Sequence, residues 1–164
     1  MTHAVVGAAI AYLMAPRFRS ALAIAATCAM LPDIDVLGLR LGIPYGDMLG
    51  HRGLTHSLAF AAGAFVIANI FWKARFAACA GIAMASHGIL DAFTNGGRGV
   101  AFFAPFSAER YFFPVTPIAV SPIGLGFFSS RGASVLLNEF LWVWCPVIII
   151  SAAVHYVRFR NPER

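Results

Sequence analysis

A chain of 164 residues that is 60% apolar and only 12% charged lies far from the soluble norm of about half apolar and about a quarter charged, and is expected in a membrane. Its net charge of +5 comes from twelve basic residues scattered along the chain rather than striped, which excludes a nucleic-acid-binding face as the reason for the charge. Cys28, Cys79 and Cys145 stand singly in apolar runs, with no CxxC pair, so they read as packing residues rather than a disulfide framework.

The first apolar run covers residues 3–15, and the basic turn Pro16-Arg17-Phe18-Arg19 separates it from a second, Ser20 to Leu31, that ends at Pro32. At about 1.5 Å per residue each reaches roughly 18 to 20 Å, short of a hydrocarbon core of about 30 Å. The pair is therefore expected as a partly inserted helical hairpin shielded by its neighbours. Residues 54–72 carry no formal charge, enough for a spanning helix that stops at Lys73 and Arg75, and the run from Phe76 to Phe93 returns.

Val100 to Ser130 is apolar too, but Pro105, Pro114, Pro117 and Pro122 with Gly124 and Gly126 rule out a straight helix over most of it. Irregular backbone does not face lipid unprotected. This stretch is expected as an interfacial or re-entrant loop folded over the protein, its aromatics Phe102, Phe103, Phe106, Tyr111, Phe112 and Phe113 near the headgroups. A fifth segment, residues 134–157, carries Glu139, is expected to kink near Pro146, and ends in Arg158 and Arg160. The fold class expected is all-α: an integral membrane helical bundle of about five helical segments, forming one domain over residues 1–164.

If these segments are antiparallel neighbours, Arg17, Arg19, Lys73, Arg75, Arg158, Arg160 and Arg164 share one end, against Arg40, Arg52, Arg98, Arg110 and Arg131 elsewhere. This bias puts the less basic end outside the cytoplasm. Three polar signatures gather at that end: Leu31-Pro32-Asp33-Ile34-Asp35, His51-Arg52-Gly53-Leu54-Thr55-His56-Ser57 and His87-Gly88-Ile89-Leu90-Asp91. Carboxylates and imidazoles in an apolar chain persist when paired, hydrogen-bonded or bound to a cation, so the signatures read as one metal site.

His87 and Asp91 are four apart on a helix and share a face, so both can reach one cation; the bland reading is a histidine bonded to an aspartate inside the bundle. Asp33 and Asp35 flank Ile34 after Pro32, where an extended turn would point both the same way, and a cation would relieve their repulsion; the bland reading is two solvated carboxylates capping the next segment. His51 and His56 do not share a helical face, so one belongs to the turn and one to the first turn of the helix, with Thr55 or Ser57 as cap. Arg52 suits a phosphate through its planar fork, or is a plain membrane-edge arginine. His3 joins the set because the first hairpin returns it to the neighbourhood of Asp33. Asp47, Glu139 and Asn95 are further polar groups without a spacing argument, and Thr94-Asn95-Gly96-Gly97 ends the fourth helix.

An early His3, followed by LPDID, HRGLTHS and an HxxxD followed by TNGG, resembles the YdjM-like family of bacterial inner-membrane proteins over nearly the whole chain. That family is described as membrane-bound metal-dependent hydrolases. The order also resembles, distantly, the zinc-dependent phospholipase C and nuclease superfamily. By position that resemblance implies His3, Asp33, His56 or His51, His87 and Asp91 as ligands, though a later His and a Glu-xxx-His pair are missing, so one or two ions are implied rather than three.

The expected function is a metal-dependent hydrolase acting on a phosphoester of a lipid or lipid-linked substrate. The metal ligands are His3, Asp33, Asp35, His51, His56, His87 and Asp91, and the catalytic groups Asp33, Asp35 and Arg52. Imidazole with carboxylate suits a divalent metal, zinc above others, activating a water. The expected partners are the lipid bilayer and that substrate, with no nucleic acid. The alternative is a non-catalytic metal-binding or transport protein, whose ligands would be expected nearer mid-membrane on broken helices.

Overall fold

Residues four apart share one face of a helix, and in the first two helices that face is made of small residues. In the computed structural model, which describes residues 1–15, 19–122 and 124–160, α1 (Thr2–Met14) and α2 (Arg19–Met30) form a hairpin. Its seam is Gly7, Ala11 and Ala15 against Ala21, Ala25 and Ala29. A Cβ on Gly7 would lie 2.5 Å from the Ala25 carbonyl oxygen, so the backbones meet directly, as small residues allow in membrane helices. The turn Pro16-Arg17-Phe18, and with it Arg17, lies outside the described residues, as does Arg164.

The path of α2 does not stop at Pro32. It continues through a 3-10 turn, Leu31–Asp35, into the short α3 (Val36–Arg40), because proline in the first turn of a helical segment gives up an N–H that has no partner there. The resulting stretch Arg19–Arg40 is long and apolar enough to cross a membrane, a correction to the expectation of a run too short to span. Asp33 and Asp35 thus lie on a 3-10 turn and point to different neighbours, unlike the extended pair expected.

A second 3-10 turn, Leu54–His56, precedes α4 (Leu58–Phe71). Ser57 caps α4 by accepting the Phe60 N–H at 3.0 Å, so the helix is shorter than the 54–72 span expected. α5 (Ala74–Ala92) returns through the middle, packed on α1, α2 and α4, with Ala77, Ala80, Ala83 and Met84 buried.

The last helical path runs from α6 (Ser130–Glu139) through a π-helical turn, Phe140–Trp144, into α7 (Cys145–Arg160). Its stretch Ser130–Arg158 is the second one long and apolar enough to span, with Leu137, Leu141, Trp142, Ile148 and Ile149 exposed. The irregularity expected near Pro146 is this π turn. Pro146 cannot donate to the Trp142 carbonyl, and its ring would crowd it; widening the preceding turn relieves both.

Residues 93–122 fold over the end where α1 and α4 begin and α5 finishes. The loop is pinned by the Leu58 N–H to the Phe102 carbonyl (3.0 Å), Ala101 N–H to Arg52 (3.0 Å), Phe113 N–H to Ala92 (2.9 Å) and Ile118 N–H to Phe93 (3.2 Å). Phe103, Phe106 and Phe112 stay exposed on it. Strand-like pairing among the described residues is limited to the isolated bridges Thr94 with Ile118 and Val100 with Tyr111. The architecture is all-helical, five long helical paths, as expected. At the opposite end Arg158 donates to the Leu13 carbonyl and His155 Nδ1 meets Tyr12 Oη at 2.5 Å.

Candidate metal centre

Each signature reaches the same end on a different element: His3 on the first turn of α1, Asp33 and Asp35 on the first 3-10 turn, His56 on the second, His87 and Asp91 on the last turns of α5. Gly88 makes their meeting possible. A Cβ there would sit 2.5 Å from the His56 carbonyl oxygen, so only bare backbone lets α5 lie against the turn that carries His56. The His56 and His87 rings then stand edge to face, centroids 4.6 Å apart.

Two sets of donor atoms, Asp33, Asp35, His51 and His56 in one and His3, His87 and Asp91 in the other, each lie within 4.8 Å of one another. They are joined into one cluster by two contacts, His87 Nε2 to Asp33 Oδ1 at 3.3 Å and His56 Nε2 to Asp91 Oδ2 at 3.4 Å, while His56 Nε2 to Asp33 Oδ1 and His87 Nε2 to Asp91 Oδ2, both at 3.8 Å, lie within the sets. Neither buried Nε2 has a hydrogen-bond partner among the described residues. Four ligand atoms about 2.1 Å from a tetrahedral zinc lie about 3.4 Å from each other, the scale of these contacts.

The outer nitrogens of both rings are tied down. His87 Nδ1 lies 2.6 Å from the Ala29 carbonyl oxygen, which can only accept, so Nδ1 carries a proton. His56 Nδ1 lies 3.1 Å from Asp35 Oδ2. Asp35 is otherwise fully engaged: Oδ1 meets His51 Nδ1 at 2.7 Å, and Oδ2 accepts from Thr55 Oγ1 at 2.7 Å and the Arg52 N–H at 3.1 Å. Imidazoles held by a carboxylate or carbonyl, with the other nitrogen bare, are the usual support of a bound metal. His3 stacks on His87, centroids 3.6 Å apart, with Nε2 3.5 Å from Asp91 Oδ1. The donor set therefore fits a divalent cation.

Burial works against a charged His56, but the surrounding carboxylates of Asp33, Asp35 and Asp91 outweigh it and push the imidazole up to about 10. Without a cation, a proton takes the place.

Arg52 is 4% exposed and turned inward. Its Nε lies 2.9 Å from Asp91 Oδ2, an ion pair without an aligned hydrogen bond, and Nη1 donates to Thr94 Oγ1 and the Gly96 carbonyl, both at 2.9 Å. It is the one non-glycine with positive φ, 62°, among the described residues, and that conformation aims its N–H at Asp35 and its side chain at Asp91. Strain of this kind concentrates at functional sites.

A cavity of about 500 Å³ opens over the cluster, bounded by His3, Asp33, Arg52, Asp91, Tyr45 and Glu139 among others. Glu139 accepts a hydrogen bond from the Thr2 hydroxyl, which itself accepts from Trp144 Nε1 at 2.8 Å.

The eight site residues expected from sequence all fall at this end, in different positions: His3, Asp33, His56, His87 and Asp91 face one another, while Asp35, His51 and Arg52 hold them. Spacing did not reveal Thr55, Thr94, Tyr45 or the Ala29 carbonyl. Thr55 lies inside the second signature and Thr94 opens TNGG; nothing in the sequence marked Tyr45 or Ala29. His155 lies at the far end.

Over residues 1–161 the chain matches the family of the YdjM inner membrane protein. It is 37% identical over 141 residues to the inner membrane protein YbcI of Escherichia coli (strain K12), covering 79% of this chain and 80% of that protein. No solved structure matches it.

Proposed function

The chain belongs to the YdjM family of inner membrane proteins, and from that premise we propose that it is a membrane-bound metal-dependent hydrolase acting on a phosphoester of a lipid or lipid-linked substrate. The observation that carries this reading is the pair of buried, unpartnered nitrogens, His56 Nε2 and His87 Nε2, facing Asp33 and Asp91 at 3.3 to 3.8 Å. A divalent cation, zinc by its donor set, supplies Lewis-acid activation of water and of the ester oxygen when bound there.

His56, His87, Asp33 and Asp91 would hold the cation, with His3 completing the set or serving a second ion. Asp35 and the Ala29 carbonyl keep both rings turned inward, and His51 steadies Asp35. Asp33, whose side chain is 48% exposed, is the carboxylate with most access to the cavity, and is placed to take a proton from an entering water. Arg52 restrains Asp91. The membrane setting and the exposed aromatics of the covering loop support a lipid substrate, reached from the extracytoplasmic side. Ligands gathered at one end of the bundle under a loop favour hydrolysis over transport, whose sites lie near mid-membrane.

The test is to purify the protein in detergent, measure bound metals, and assay phospholipids and lipid phosphates with and without Asp91→Ala. Stoichiometric metal and turnover in the native protein, with loss of both in the variant, are expected. Absence of metal sinks the reading, and metal without turnover on any ester moves it to binding or transport.

A further inference from the structure

Three arginines converge on Tyr45 at the edge of the cavity, and they differ in what their guanidinium groups do. Arg110 lies 5.9 Å from the Tyr45 ring centroid, and its Nη groups are taken up by the carbonyls of Tyr45, Asp47, His51 and Gly99. Arg52 is engaged with Asp91, Thr94 and Gly96. Arg98 also lies 5.9 Å from the ring, but it is exposed, and among the described residues its guanidinium has neither a carboxylate within 4 Å nor a hydrogen-bond acceptor.

The loop that carries Arg98 has the same unspent character in its backbone. φ is +87° at Gly97 and +75° at Gly99, and is not positive at Arg98 between them; alternation of this kind turns successive N–H groups to one side and makes an anion-binding concavity. The N–H groups on either side are paired, Asn95 to the Ile118 carbonyl and Val100 to Tyr111, both at 2.9 Å. Those of Gly96, Gly97 and Gly99 donate to no acceptor among the described residues, while that of Arg98 is hydrogen-bonded to Tyr45 Oη. A Cβ at Gly97 would lie 2.8 Å from Tyr45 Oη and 2.9 Å from Arg52 Nη1, so the bare backbone there is what lets the loop lie against both side chains. Gly97, Tyr45 and Arg52 border the same cavity as His3, Asp33 and Asp91.

We propose that the Gly96-Gly97-Arg98-Gly99 loop, with Tyr45, binds a phosphate oxyanion at the mouth of the cavity, and that Arg98 selects for it. A guanidinium fork and free N–H groups match the several oxygens of a phosphate. This deepens the hydrolase reading and rests on it for its purpose, but it can be tested separately. The same chemistry serves a lipid headgroup and free phosphate.

The full chain in detergent is titrated calorimetrically with inorganic phosphate and, separately, with dihexanoyl phosphatidic acid, using the native protein, Arg98→Ala and Arg98→Lys, with zinc content measured on each. Arg98→Ala is expected to weaken both ligands about tenfold, the loss of one charge-assisted contact, with zinc content unchanged; Arg98→Lys, which keeps the charge but not the fork, falls between. Tighter binding of phosphatidic acid than of phosphate identifies a lipid headgroup as the ligand, and equal binding a free or water-soluble phosphate. Arg98→Ala binding both ligands as the native protein does, or no binding by the native protein, overturns the proposal. Phosphate binding that depends on Arg98 in a protein without metal would remove the hydrolase reading alone; zinc without any effect of Arg98 would remove this one alone.

Discussion

His56 sets a proton against a cation. Pushed up from its ordinary 6.5 to about 10 by its three carboxylates, it is charged in the metal-free protein at neutral pH, and a ligand must be neutral. Metal affinity is therefore expected to rise with pH up to about 10, and metal titrations at pH 6, 7.5 and 9 check it. The sign for stability is opposite. A raised folded value stabilises fully below about 6.5 and is lost as pH rises through about 10, so the melting temperature of chelator-stripped protein should fall across that window while the metal-loaded form changes less. Asp35 acts one bond further out. Asp35→Asn keeps the shape but loses the charge behind His51 and His56, and is expected to weaken metal binding by about 10- to 100-fold, whereas Asp91→Ala should abolish it; metal content after dialysis separates the two outcomes.

Helix contacts place these residues, among them Gly88 against the second 3-10 turn. Gly88→Ala drives a methyl to within 2.5 Å of the His56 carbonyl, so α5 or the turn must shift. Overpacking of this kind costs about 1 to 3 kcal/mol, and both a lower melting temperature in detergent and reduced bound metal are expected; native values of both would show that the contact is not needed. The π turn has a comparable placing role. Glu139 and Trp144 are five apart, about 140° apart around an α-helix, yet both reach Thr2 because the wider turn between them reduces that angle. Thr2 adjoins His3, so this contact fixes the start of α1 over the cavity.

Across the whole molecule, Arg19, Lys73, Arg75, Arg158 and Arg160 lie at the end opposite the cluster while Arg52, Arg98 and Arg110 lie beside it, and under the positive-inside rule we propose that the cluster faces outside. Asp47→Cys is expected to react with an impermeant thiol reagent added to intact cells, and Lys73→Cys only after permeabilisation; the reverse pattern would invert the topology. Composition, hydrophobic runs and basic turns already determined an all-helical membrane bundle with the histidines and aspartates of its three signatures at one end, because burial of apolar surface and the siting of charge are read residue by residue. The HxxxD spacing likewise put His87 and Asp91 on one face of α5. One helix boundary was less legible: α2 passes Pro32, since a proline in a first turn acts through a hydrogen bond that spacing does not display, whereas α4 does start after Ser57, one of the two cap candidates. Only the tertiary structure decided which polar groups face the cavity and which support them. Asp33 and Asp35 are two residues apart and of one type, yet one looks into the cavity and the other is spent on His51, His56, Thr55 and the Arg52 N–H. That division depends on which donors other elements bring within about 3 Å, and hydrogen bonding at that range is set by three-dimensional placement rather than by order along the chain.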